Sequence, residues 1–261
     1  MDRDKVRARI EEIGIVPALR VSSAEDALFA AEAVEQGGIP IVEVTMTVPG
    51  AVEVIAELVR NRPELIVGAG TVLDLDTARR CLKAGAKFLT STGLDLEVVR
   101  CAIEEDVAVL PGALTPTEVM AAAKAGADFV KIYPCAQVGG PAYVRALKSP
   151  FPHVRLIASG GVNQQTVGEF ILAGASAVGV GGDLIPRKAI ELRQPHRITE
   201  LARRFSVGVH DARARLRHCA VPAVGVAHNA RAPAAPSAAR NSRLARVHAA
   251  GVPDVRVRQR H

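Results

Sequence analysis

From Gly14 onward, short apolar runs alternate with amphipathic stretches eight times, and this rhythm constrains the fold more than any other feature of the chain. The runs are GIVPALRV (14–21), IPIVEVTM (39–46), LIVGAGTV (65–72), KFLTST (87–92), AVLPGA (108–113), DFVKIYP (128–134), RLIASGG (155–161) and AVGVGG (177–182). Their length and β-branched content suit strands buried on both faces. Between them lie helix candidates such as SAEDALFAAEAVEQ (23–36), with Ser22 or Ser23 as N-cap, and TPTEVMAAAKAG (115–126), with Thr115 as N-cap and Glu118 three residues on. KAGAKF (83–88), KAGADF (124–129) and LAGASAV (172–178) each put a glycine just past a helix and lead straight into a strand, as a left-handed helix cap requires. Eight β-then-α units in about 190 residues predict an α/β chain folded as a (β/α)8 TIM barrel, with an open doubly wound sheet as the alternative.

Aromatic residues make up 3% of the chain and there is no Trp, so Ala, Val, Leu and Ile must fill such a barrel. No uninterrupted apolar run reaches the length of a membrane span. The start, MDRDKVRARIEEIG, has acidic residues where a signal peptide would need an apolar stretch, so a cytoplasmic chain without membrane partners is expected.

The net charge of +6 is unevenly spread. Residues 207–261 hold ten Arg against only Asp211 and Asp254, and they lack Lys, Glu, Ile, Phe, Tyr and Met altogether. We therefore divide the chain into a barrel over 1–206 and an Arg/Ala/Pro-rich tail over 207–261, expected to be disordered. Such a composition is what a GC-rich coding region yields in a shifted frame. A nucleic-acid arm, the alternative, would tend to include Lys and interleave aromatics, and this tail has neither.

In a barrel, polar residues at the C-terminal ends of strands carry the chemistry. Lys131 lies inside FVKIY, where alternation sets Phe129, Lys131 and Tyr133 on the face opposite Val130 and Ile132. A lysine pointing into the barrel favours the neutral amine that a Schiff-base nucleophile needs; the alternative is a lysine snorkelling from a strand end. Glu43 is the only charge in IPIVEVTM and shares a face with Ile41 and Thr45. It reads as an acid/base for imine chemistry or as the partner in a structural ion pair. Arg20 ends the first run and suits a carboxylate or phosphate. GAGT (68–71) brings bare backbone and the Thr71 hydroxyl to the third strand end, while SGG (159–161) and GVGG (179–182) lie where barrels of this class bind phosphate. The four cysteines have no CxxC spacing and the body has only His153 and His196, which argues against a disulfide framework or a metal-dependent enzyme.

Taken in order, GIVPALR, VEVTMTVPGA, VGAGTVL, LPGALTPTEV, DFVKIYPC, ASGGVN and GVGGDL resemble the 2-keto-3-deoxy-6-phosphogluconate (KDPG) / 4-hydroxy-2-oxoglutarate aldolase family over roughly residues 7–206. The resemblance implies a class I aldolase of carbohydrate metabolism, using neither cofactor nor metal, that cleaves a 2-keto-4-hydroxy acid to pyruvate and glyceraldehyde 3-phosphate or glyoxylate as a homotrimer. It implies Lys131 as the Schiff-base lysine, Glu43 as general acid/base and Thr71 as a contact for the pyruvate carboxylate. Tyr133 is implied as the aromatic wall beside the imine, and Gly160, Gly161, Gly181 and Gly182 as the phosphate-binding glycines. Two positions depart from the familiar pattern. Thr47 stands where an Arg is usual, leaving Arg20 to bind an anion, and Asp183 follows the glycine pair where a Ser is usual. An Asp there repels a phosphate unless it turns away to cap the next helix. The competing readings are another phosphate-binding barrel enzyme, such as an isomerase or synthase, and a non-catalytic barrel with a nucleic-acid-binding tail.

Overall fold

The structure, a computed structural model, describes residues 1–219. Helix α1 (Arg3–Ile13) precedes the first strand. The strands are β1 (Ile15–Leu19), β2 (Ile41–Thr45), β3 (Ile66–Gly70), β4 (Phe88–Thr90), β5 (Ala108–Leu110), β6 (Gly112–Ala113), β7 (Val130–Ile132), β8 (Leu156–Ser159) and β9 (Ala177–Val180). All pair in parallel, in the order β5-β4-β3-β2-β1-β9-β8-β7-β6.

Where eight strands are expected there are nine, because the run AVLPGA is cut in two at Pro111. Proline has no N–H for the ladder, although its carbonyl still accepts from the Lys131 amide at 2.9 Å. β5 and β6 are thus one broken strand, and since they occupy the two ends of the order, the sheet closes on itself. The outcome is the eightfold (β/α) barrel.

Local chemistry explains the helices. Helix α2 (Ala24–Gln36) is capped by Ser23, whose hydroxyl accepts from the Asp26 amide. Helix α6 (Pro116–Lys124) opens with a capping box between Thr115 and Glu118. The glycines of the repeated KAG/LAG pattern, Gly85, Gly126 and Gly174, have φ of +99°, +90° and +101°, the left-handed turn that feeds each helix into the next strand.

The tail boundary needs correction. Instead of ending near Ser206, the last helix, α10 (Pro195–Cys219), runs thirteen residues further. Val209 and Ala212 are buried, and the Arg213 guanidinium donates to the carbonyls of Glu11, Glu12 and Ser176. Those acceptors include the end of α1, where the last carbonyls of a helix lack intrahelical partners. A side chain at Gly14, the α1 cap, would collide with Arg213 and Val209 at 2.6 and 2.8 Å. Residues 207–219 therefore belong to the barrel, and the expectation of disorder from 220 onward falls outside the described residues. A chain ending at Ser206 should lose about 3 kcal/mol and melt about 6–12 °C lower. A chain ending at Cys219 should melt as the full-length protein does, and thermal unfolding of the two truncations checks this.

Candidate active site

The barrel brings three buried polar side chains together. Glu43 sits on β2 and Lys131 on β7, four strand positions apart in either direction around the eightfold ring, so the pair meets across the barrel. Lys131 Nζ lies 3.3 Å from Glu43 Oε1 and 3.3 Å from Oε2. Thr90 Oγ1, on β4 midway between them, is 3.2 Å from the same nitrogen. Glu43, Thr90 and Lys131 are 2%, 2% and 6% exposed, too buried for bulk water to replace these contacts. Three alternate strands thus supply a polar layer where barrels usually stack Val, Ile or Leu. The fourth, β9, places Gly179 in the wall of the same cavity, where the Ser159 side chain takes the space a Cβ would need.

That cavity measures about 170 Å³ and opens at the C-terminal ends of the strands. Arg20, Glu43, Lys131 and Tyr133 line it, as do Gly160, Gly161, Gly181 and Gly182. Thr71 does not. It follows β3 directly with φ of +59°, an uncommon conformation for a β-branched residue, while the next amide, Val72 N–H, donates to the Thr90 carbonyl at 3.0 Å. Thr92, Ser159 and Asp183 also reach the cavity. Thr90 and Thr92 are polar site residues that sequence reasoning missed. The signal was the alternation in KFLTST, which sets Phe88, Thr90 and Thr92 on one face.

The glycines separate into two kinds. Gly160 and Gly161 have φ of +87° and +84°, and a Cβ on Gly161 would lie 2.3 Å from the Ala136 Cβ, so geometry alone demands glycine. At Gly182 a Cβ would meet nothing within 4 Å, yet the position is bare. Among the described residues the amides of Gly161 and Gly182 donate to no protein acceptor, and both residues are exposed, so each N–H is free to donate to water or to a ligand. Arg20 is exposed and forms no ion pair or hydrogen bond among the described residues, and it also borders a second cavity of about 510 Å³ that shares Gly182. Asp183 makes no capping bond: the next helix, α9 (Arg187–Glu191), begins after Pro186 with no side-chain cap.

Both GAGT glycines make room for side chains. A Cβ on Gly68 would strike the Phe88 ring at 2.3 Å, and one on Gly70 would lie 2.0 Å from Glu43 Oε1. Gly70 is the space in which the carboxylate stands. Cys135, just beyond Pro134, is not a competing nucleophile, because burial pushes its thiol up to about 11. A buried amine beside a carboxylate in a ligand-sized cavity is suited to forming an imine and moving protons around it. Gly70→Ala should push Glu43 away from Lys131 at a cost of about 1–3 kcal/mol, the usual range for overpacking. Denaturant unfolding and a crystal structure of the variant measure both effects.

Comparison with known proteins agrees with this arrangement. The family described as "Aldolase: KDPG and KHG aldolase" matches residues 6–201. The 2-dehydro-3-deoxy-phosphogluconate aldolase of Pseudomonas aeruginosa is 35% identical over 179 residues, 69% of this chain and 81% of that protein. The KHG/KDPG aldolase of Escherichia coli is 35% identical over 190 residues, 72% of this chain and 89% of its own length. Among solved structures, the KDPG aldolase of Legionella pneumophila, with pyruvate captured as a covalent carbinolamine, superposes with a TM-score of 0.71 at 30% identity, covering 76% of this chain and 96% of that one. With the family match spanning most of the barrel and the buried Lys131–Glu43 pair at its mouth, the chain belongs to the KDPG and KHG aldolase family.

Proposed function

We propose that this protein is a class I aldehyde-lyase that cleaves a 2-keto-4-hydroxy acid, such as 2-keto-3-deoxy-6-phosphogluconate or 4-hydroxy-2-oxoglutarate, to pyruvate and an aldehyde. The observation that carries this reading is the Lys131 amine held 3.3 Å from both Glu43 oxygens inside the mouth of the barrel. Neutral Lys131 attacks C2 of the substrate, and loss of water gives a protonated imine. Glu43 takes the proton of the C4 hydroxyl; the C3–C4 bond then breaks and its electrons move onto the imine, forming an enamine and the free aldehyde. Protonation at C3 and hydrolysis release pyruvate and regenerate the amine.

Tyr133 forms the wall beside the imine, and Thr71, at the rim, is assigned to the pyruvate carboxylate. Arg20 and the backbone at Gly160, Gly161, Gly181 and Gly182 hold the anionic far end of the substrate. Family membership supports a homotrimer. Cys81, Cys101 and Cys135 are free thiols, which supports a reducing cytoplasmic setting. Among the described residues no helix is long and apolar enough to cross a membrane. The catalytic domain extends through α10, and the Arg-rich remainder takes no part in catalysis.

Borohydride reduction in the presence of pyruvate should leave one covalent adduct on Lys131, read by mass spectrometry. Lys131→Arg should abolish both the adduct and cleavage while the fold persists, because guanidinium stays protonated; turnover by that variant would remove Lys131 from the mechanism. Asp183→Ser should lower KM for the phosphorylated substrate by roughly tenfold, about the worth of one exposed like-charge contact, and leave that for 4-hydroxy-2-oxoglutarate nearly unchanged. Steady-state kinetics on both substrates decides whether Asp183 faces the phosphate.

A further inference from the structure

Lys131 has two polar neighbours, and the mechanism above uses only Glu43. The other, Thr90, is 2% exposed, and its hydroxyl makes a single hydrogen bond among the described residues, at 3.2 Å to Lys131 Nζ. Among the described residues no group takes the Thr90 hydroxyl proton. A buried hydroxyl that touches the nucleophilic atom and has its own proton free can both receive a proton and hand one on.

We infer that Thr90 is a further catalytic residue, whose hydroxyl carries the proton from the Lys131 nitrogen to the substrate C2 oxygen while the imine forms. The inference rests on the assignment of Lys131 as the imine-forming residue. Attack of the neutral amine on C2 forms the N–C bond and breaks the carbonyl π bond, leaving a positive nitrogen and a negative oxygen on the same carbon. The proton must cross from one to the other, and a direct transfer would pass through a strained four-membered ring. The C2 oxygen lies two bonds from Nζ, so a hydroxyl in contact with Nζ is also within hydrogen-bond reach of that oxygen. Thr90 accepts the nitrogen proton and gives its own to the oxygen through a six-membered ring, ending unchanged beside a neutral carbinolamine. Loss of water then draws a second proton from Glu43, which holds the one it took from the Lys131 ammonium to free the amine, and the resulting carboxylate is the base that C–C cleavage requires. The two neighbours of Lys131 thereby divide the reaction: Thr90 serves imine formation and Glu43 serves dehydration and cleavage.

The test follows imine formation directly. Full-length protein is mixed with pyruvate, samples are quenched with borohydride at successive times, and the Lys131 adduct is measured by mass. Thr90→Val keeps the shape and removes the hydroxyl; its adduct should build up at least about tenfold more slowly and reach the same final yield, within the usual worth of a positioned proton-transfer group. Thr90→Ser should return the rate to within about threefold of the parent. A residue that only filled space would be matched by Val rather than Ser. Thr90→Ala provides a second hydroxyl-free variant should Val disturb the strand, and thermal melting verifies the fold of each. An adduct that forms in Thr90→Val, or in Thr90→Ala, at the parent rate overturns the role of Thr90 and leaves Lys131 in place. If the parent protein forms no adduct at all, the imine mechanism itself falls.

Discussion

The ion pair between Lys131 and Glu43 is the constraint around which this barrel is arranged. Placing an ammonium and a carboxylate in a barrel interior is costly unless each faces the other and the remaining hydrogen-bonding groups are satisfied. The fold meets that condition by taking the two residues from strands on opposite sides of the ring, so that neither can turn away to solvent. Gly70 yields the volume occupied by the carboxylate, and Thr90 accepts from the nitrogen. Gly179 on the fourth alternate strand makes room for the Ser159 side chain, which also lines the cavity.

Much of this was legible in the chain. Lys131 and Glu43 stood out because a single charge in an otherwise apolar, alternating run has few places to point, and Ser23, Thr115 and the KAG glycines act through local geometry that sequence displays directly. What escaped detection depends on neighbours distant in sequence. The threonines of KFLTST look like ordinary strand residues until the barrel sets Thr90 against a lysine 41 positions later. GAGT resembles a ligand-approach loop, and only the register of β3 beside β2 shows that Gly70 makes room for Glu43. The break at Pro111 was visible as a residue but not as an extra strand, because only hydrogen bonding reveals the cut.

The C-terminal boundary was misplaced for a related reason. Composition changes abruptly after Ser206, but α10 needs only an occasional apolar residue on its inner face, and Val209 and Ala212 supply it within an Arg-rich stretch. Arg213, counted by composition as one more tail charge, is a partly buried clamp on three carbonyls, and burial holds its guanidinium below the usual arginine range.

The position of that clamp has a consequence for how such a protein can change. Arg213 and its acceptors lie at the N-terminal ends of the strands, as does Asp128, which ties Arg3 and Arg7 of α1 to the barrel floor. Arg20, Thr92, Gly182 and Asp183 all lie at the other end. Fastening and recognition thus occupy opposite poles of one cylinder, with a packed interior between them. Loops at the open pole are free to drift in sequence and acquire new substrate preferences while the floor preserves the architecture, so divergence in specificity need not pass through unstable intermediates.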